Sequence, residues 1–350
     1  MKPAGRIGVK EIAKMTNVSI ATVDRVLHNR PGVSPATEKK IRAVIRKYNY
    51  QPNILARTLA TRKTLKLAAL IPAVSKETTY WQAPLDGIDE AENEIRQFGI
   101  AVEKYFFDLN DAQSFVRQAR KILRNKADGV LLAPHFANDA ETFSRQLADK
   151  QIPFVYINSD VPGQENLSYI GPHLYQSGYL GGQLADFIGG EKSTCLVVNI
   201  SRIPDSYYYL LKKEEGFRAY FEGRNKVKIL KTDIQKTDYP SIKKELTALL
   251  NTHKIDLIFV TNSRVFYVAR FLEERGMEHI RLIGFDMIDR NIRHLEEGTI
   301  DFLISQKPRE QAYRGILALY NKLIKGADVE KQCFMPIDII TKENYRFYTN

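Results

Sequence analysis

From Leu65 to Gln306 the chain alternates between short apolar runs and amphipathic stretches, and few folds accommodate that pattern. The runs LKLAALIP, IAVEKYFF, DGVLLAP and IPFVYIN predict strands. After a break near residues 161–166, TCLVVNIS, VKILKTD, DLIFVTN, RLIGFD and DFLISQ predict more. Between the first two, residues 82–98 carry Leu85, Ile88, Ile95 and Phe98 on one helical face. Residues 112–124 and 139–150 predict further helices. Strands that alternate with helices argue for parallel, doubly wound sheets. The break divides them into two Rossmann-like lobes of about 100 residues each, an α/β architecture.

Ligands of such sheets sit outside the carboxyl ends of the strands. The residues that follow the strands are Asp108, His135, Asn158 with Asp160, Asn262, Asp286 and Gln306. Tyr80 and Trp81 follow the first strand. Short polar groups that accept and donate suit a hydroxyl-rich ligand, and an aromatic face suits a sugar ring. Singly, each of these residues serves as readily as a helix cap or loop residue. As a row they predict a binding site.

The first 65 residues are chemically distinct from this body. They hold seven Lys and seven Arg against Glu11, Asp24 and Glu38, a net +11. The whole chain is also +11, so the remainder is neutral. A basic head on a neutral body is the footprint of a nucleic-acid-binding module. In VKEIAKMT, Val9, Ile12, Ala13 and Thr16 share a helical face. Asn17 tolerates the left-handed backbone of a tight turn, and Val18 can plug the core. Ser19 is a good cap for a second helix, Ile20 to Leu27, with Val23, Val26 and Leu27 inward. Ile20, Ala21, Asp24, Arg25 and His28 remain outside. Ser34 and Pro35 open a third helix with Ile41, Val44, Ile45 and Tyr48 as its apolar stripe. This is a helix-turn-helix, whose second helix enters the major groove of DNA. A short basic helix pattern follows from Asn53, marginal until bound.

The stretch from IGVKEIAKMTNVSIATVDRVLHNRPGVSP to YQPNILARTLATRKT closely resembles the DNA-binding head of the LacI/GalR (lactose-repressor) family. The shared features are the VSxxTVxRVL helix, PGVS and PNxxAxxL. The body resembles that family's periplasmic-binding-protein-like (type I) sensor through GPHLYQSGYLGGQLADFI, KKEEGFRAY, VTNS, LIGFDM and ISQKPREQAYRGI. The resemblance implies a homodimeric repressor bound to a near-palindromic operator and controlled by a small carbohydrate-like effector. It implies base reading by Ile20, Ala21 and Arg25, with Thr22 at the DNA backbone and Ser19 also among the DNA-binding residues. It also implies a hinge helix that includes Asn53, Ala56, Arg57 and Leu59, with Leu59 wedged into the minor groove, packed at the dimer, or both. The expected division is a head of residues 1–52, a hinge of 53–64 and an effector domain of 65–350. Within that domain one lobe takes residues 65–162 and 308–333, and the other takes 163–307 and 334–350. Residues matching Asn262, Asp286 and Gln306 touch the effector. Where the family commonly has an arginine that grips sugar hydroxyls, this chain has Lys213, so Arg202 is a candidate substitute. Asp24 replaces a small hydroxyl residue. Pairing with His28, accepting from a cytosine and facing solvent all stay open for it.

Other classes lack support in the sequence. No GxGxxG, GxSxG, HExxH or P-loop occurs, and nothing places His135 beside Asp160 as an acid–base pair, so neither enzyme nor cofactor is expected. Cys195 and Cys333 match no metal spacing and are expected as buried thiols. The N-terminus has no apolar signal core and the chain no long apolar span. That predicts a cytoplasmic protein without membrane partners rather than a transport-type sugar-binding protein.

Overall fold

The chain forms two compact units, residues 1–64 and 65–350. A computed structural model describes residues 8–27, 30–48, 50, 64–75, 77–190, 192–202, 208–223 and 227–348. The residues expected in a hinge, Asn53, Ala56, Arg57 and Leu59, and also His28, lie outside the described residues.

In the head, α1 (Val9–Thr16) ends at Asn17, which is left-handed at φ 54° and ψ 47°. The Ser19 hydroxyl accepts the Thr22 N–H at 3.1 Å and so starts α2 (Ile20–Leu27). Ser34 does the same for α3 (Pro35–Lys47) through Thr37 at 3.3 Å. Ile12, Ala13, Val23, Val26 and Ile41 form a small core, against which Val18 packs. Tyr48 does not join that core as expected. The helix has ended by then (φ −103°, ψ 8°), the side chain is 43% exposed, and Tyr50 packs in its stead.

The body contains two six-stranded sheets. The first is built from β1 (Leu65–Pro72), β2 (Ile100–Phe107), β3 (Gly129–Leu132), β4 (Phe154–Ile157), β5 (Ser168–Gly171) and, from far along the chain, Gln332–Phe334. The second contains β6 (Thr194–Ile200), β7 (Lys228–Ile234), β8 (Leu257–Val260), β9 (Arg281–Phe285), β10 (Phe302–Ser305) and Asp338–Ile340. The two late strands are β11 and β12. The sheet orders are β11-β5-β4-β3-β1-β2 and β12-β10-β9-β8-β6-β7. All pairs are parallel except β10 with β12. Side chains alternate between the two covered faces. On β1, Leu67, Ala69 and Ile71 enter one core and Ala68 and Leu70 the opposite one. On β6, Leu196, Val198 and Ile200 oppose Cys195 and Val197.

The helices that matter below are α4 (Gln82–Ile95), α5 (Ala112–Asn125), α6 (Ala137–Asp149), α7 (Leu174–Gly189) and α8 (Tyr208–Tyr220). They continue with α9 (Tyr239–Thr252), α10 (Val265–Arg275), α11 (Asp289–Glu297) and α12 (Pro308–Tyr320). Among the described residues no helix is long and apolar enough to cross a membrane.

Two expectations are corrected here. The first lobe does not end at residue 162, because β5 pairs with β4 and carries that sheet on to Gly171. The chain therefore changes sheets after Gly171, between Ser305 and Pro308, and between Phe334 and Asp338. Cys333 is not buried. It lies on β11 at the sheet edge, half-exposed, with Arg314 Nη1 donating to its sulfur at 3.7 Å. Cys195 is buried, and burial pushes its thiol up to about 11.

Candidate functional site

Strand order fixes where the cleft lies. β1 has β2 on one side and β3 on the other, so the loops that leave β1 and β3 part and open a crevice; β6 sits likewise between β7 and β8. A cavity of about 550 Å³, including its mouth, is lined from both lobes. Eight of the expected residues meet there: Tyr80, Trp81, His135, Asn158, Lys213, Asn262, Asp286 and Gln306.

On the first-lobe side the Tyr80 hydroxyl donates to Asn158 Oδ1 at 2.8 Å, and its ring stands edge-on to Trp81, centroids 5.1 Å apart. Tyr80 and Trp81 are both buried, both pack into the lobe core and both line the cavity. Asn158 (φ 70°) and Asp286 (φ 71°) occupy matching turns after β4 and β9, a left-handed conformation that Asn and Asp tolerate. The Asn158 N–H donates to Gln311 Oε1 at 2.8 Å, and Gln311 Nε2 donates to the Gln306 carbonyl at 2.7 Å. One α12 side chain thus ties the β4 end to the second crossing. His135 is partly buried, and burial, then the Arg264 charge, lower its ring to about 4, so it is neutral near pH 7.

On the second-lobe side Lys213 Nζ lies 3.6 Å from the Phe285 ring centroid and donates to the Thr261 carbonyl at 3.3 Å. Burial lowers its ammonium to about 8, against the opposing pull of Asp286. Burial raises Asp286 to about 6, against Lys213. Asn262 Nδ2 donates to the Ile200 carbonyl at 2.7 Å, and Gln306 Nε2 to Ser177 Oγ at 3.1 Å. Two buried polar atoms of the wall, Asp286 Oδ1 and Arg264 Nε, have no hydrogen-bond partner among the described residues. One is an acceptor and the other a donor, and leaving such groups unpaired costs about 1–3 kcal/mol each.

Three expected residues lie elsewhere. Asp108 is exposed, and its carboxylate accepts the Asn110 N–H at 2.8 Å, which closes a turn. Asp160 lines a separate hollow with Tyr169 and Tyr208, so it does not meet His135, and burial raises its carboxyl. Arg202 pairs across the lobes with Glu77 at 2.9 Å and donates to Thr237 of its own lobe at 2.8 Å, and it does not line the cavity. Conversely Thr78, Tyr209, Ser263 and Arg264 line the cavity unannounced. Ser263 and Arg264 directly follow Asn262, so the strand-end rule carried two residues further would have found them. Tyr209 begins a helix and has no such signal.

In the head, Ile20 (49% exposed), Ala21 and Arg25 project from α2, while Thr22 is half-buried. The Ser19 hydroxyl is engaged in the cap and lies 2.9 Å from Thr22 Oγ1. Asp24 has a partner that the sequence did not suggest: Arg30 Nη1, beyond the helix end, at 3.4 Å.

Fold and site together define a helix-turn-helix head carried on a two-lobed body with a cleft. Residues 68–328 match the periplasmic binding protein domain, and residues 8–53 match the bacterial regulatory proteins of the lacI family. The chain belongs to the periplasmic binding protein domain family over its body and carries the LacI-family domain as its head. Among curated relatives it is 31% identical over 160 residues to the HTH-type transcriptional regulator RegA of Clostridium acetobutylicum, 45% of each chain. It is 30% identical over 193 residues to the sucrose operon repressor of Klebsiella pneumoniae, 51% of this chain and 56% of that one. These matches span about half of each relative's length. A crystal structure of a candidate LacI transcriptional regulator from Bacteroides fragilis superposes with a TM-score of 0.77 at 28% identity, covering 82% of this chain and all of that one.

Proposed function

We propose that this protein is a ligand-responsive transcriptional regulator. It acts as a homodimeric repressor on a near-palindromic operator, with DNA affinity set by a small sugar-like effector in the interlobe cavity. The observation that carries the ligand half is the unpaired buried pair in the cavity wall, Asp286 Oδ1 and Arg264 Nε. A hydroxyl donates to the first and accepts from the second, and a polyol presents several at fixed spacing. The names of the relatives, one a sucrose operon repressor, support a sugar. The basic head, with Ile20, Ala21 and Arg25 exposed on α2, supports DNA as the partner. The effector acts by binding one arrangement of the lobes better than the other. Residues 53–64 then couple the body to the operator.

The test uses the full-length protein. Its preferred duplex is selected from random DNA, and affinity for that duplex is titrated with salt and with a panel of sugars and sugar acids. The expected results are an inverted-repeat site, affinity that falls steeply with salt, and at least one sugar that changes affinity about five- to 150-fold. Failure to select any site, or affinity indifferent to every sugar while none binds, overturns the proposal.

A further inference from the structure

A second cavity, about 760 Å³ with its mouth, opens between the same lobes on the other side of Tyr80 and Asp286, and both side chains belong to both walls. The two chambers differ in charge. Lys213, Arg264 and His135 line the inner one beside Asp286. The outer one is lined by Asp86, Asp286 and Asp289, and among the described residues no Lys, Arg or His lines it. Ionised carboxylates only accept hydrogen bonds, so the outer chamber asks for donors and repels anions. Asp286, shared by the two chambers, is 7% exposed, and its Oδ1 is buried without a hydrogen-bond partner among the described residues. Val74, Met287 and Ile288 add apolar surface to the lining that Gln82 and Asp86 share. A lining that combines acceptors with apolar surface suits the hydroxyls and the C–H faces of a sugar ring. The Tyr80 side chain, shared by both chambers, is held by its hydrogen bond to Asn158.

We infer that the ligand of this cleft is a saccharide of at least two units, the first in the Lys213 chamber and the second, never anionic, in the acidic outer chamber. This rests on the sugar-binding proposal above and adds size and charge to it. A single hexose leaves the outer chamber to water. A second unit that is phosphorylated or oxidised to a uronate brings a negative charge against Asp86 and Asp289.

Calorimetry on the full-length protein tests this with neutral hexoses, the disaccharides made from them, and disaccharides phosphorylated on the second unit. The expected result is a disaccharide bound about tenfold or more tightly than its constituent hexoses, with the phosphorylated form rejected. Ala83 lines only the outer chamber, so Ala83→Phe should remove the disaccharide advantage and leave hexose binding in place. Should that variant fail to fold, the exposed pair Asp86→Asn with Asp289→Asn should narrow the gap between neutral and phosphorylated disaccharide. Hexoses bound as tightly as every disaccharide that contains them overturn the inference and leave the sugar proposal standing. So does an Ala83→Phe variant that loses both ligands equally. No saccharide binding at all overturns both.

Discussion

His135 shows how burial sets the chemistry of a single residue in the cleft. Its folded value of about 4 lies below the ordinary 6.5. Between those two values the unfolded chain therefore binds a proton that the folded chain does not. The resulting stabilisation is complete above pH 6.5 and is lost as pH falls toward 4, at most about 3 kcal/mol. Thermal melts at pH 7 and pH 4.5 should show wild type losing more Tm on acidification than His135→Gln does. Equal losses would place the acid sensitivity in other groups. Lys213 and Asp286 line the same cavity, and their opposite charges attract without an ion pair between them among the described residues. The point charge of an ammonium stacked on Phe285 cannot reproduce the bidentate fork of the arginine common in the family, and Arg264 brings a guanidinium into the same wall from another strand end. On α2, Arg25 is exposed and free of the helix packing. Arg25→Ala should therefore flatten base preference at one position in each half-site, by about 1–3 kcal/mol. Selection of preferred duplexes with the variant checks it, and an unchanged motif would remove Arg25 from the reading set.

At the scale of elements, α7 and α8 lie backbone to backbone. A Cβ on Gly178 would stand 1.8 Å from the Lys213 carbonyl oxygen, and one on Gly216 would stand 1.9 Å from that of Tyr175. The position of Lys213 in the cavity therefore depends on glycine in the neighbouring helix. Gly178→Ala should push α8 outward, lower stability by about 1–3 kcal/mol and weaken ligand binding as Lys213 moves. Melting and calorimetry together check this; lowered Tm with unchanged affinity would separate packing from placement. The elements that the sequence disclosed are those with a long local signal, such as β1, apolar from Leu67 to Pro72, or the Ser-capped α2. Strands β5, β11 and β12 are three or four residues long, with Ser168, Gln332 and Asp338 in them, and exist only because a neighbouring strand offers an edge. That is why the first sheet ran past the expected lobe boundary. The strand-end rule located the cavity because topology alone decides where strand ends converge. It failed for Asp108, Asp160 and Arg202, where local turns, a second hollow and an ion pair claimed the side chains.

For the body as a whole, contacts across the cleft hold the two lobes together. Glu77, in the loop after β1, accepts from second-lobe Arg202 at 2.9 Å, Arg264 at 3.4 Å and Thr237 at 3.4 Å. Beside it Thr78 and Ser263 hydroxyls meet across the cleft at 3.3 Å. The Arg202 contact is exposed and contributes little alone. The Arg264 contact differs, because that residue is 8% exposed and its charge has few other partners. Glu77 thus favours the closed arrangement, in which cavity residues from both lobes face one ligand. If only the closed form binds well, opening the lobes lowers apparent affinity by the fraction lost. Glu77→Gln keeps the size of the side chain and removes the charge. It should enlarge the ligand-free particle in small-angle scattering, weaken the ligand by about 1–3 kcal/mol, and recover the wild-type dimensions at saturating ligand. If scattering and affinity both match wild type, the three contacts are incidental to closure, and the crossings between sheets alone hold the lobes in place.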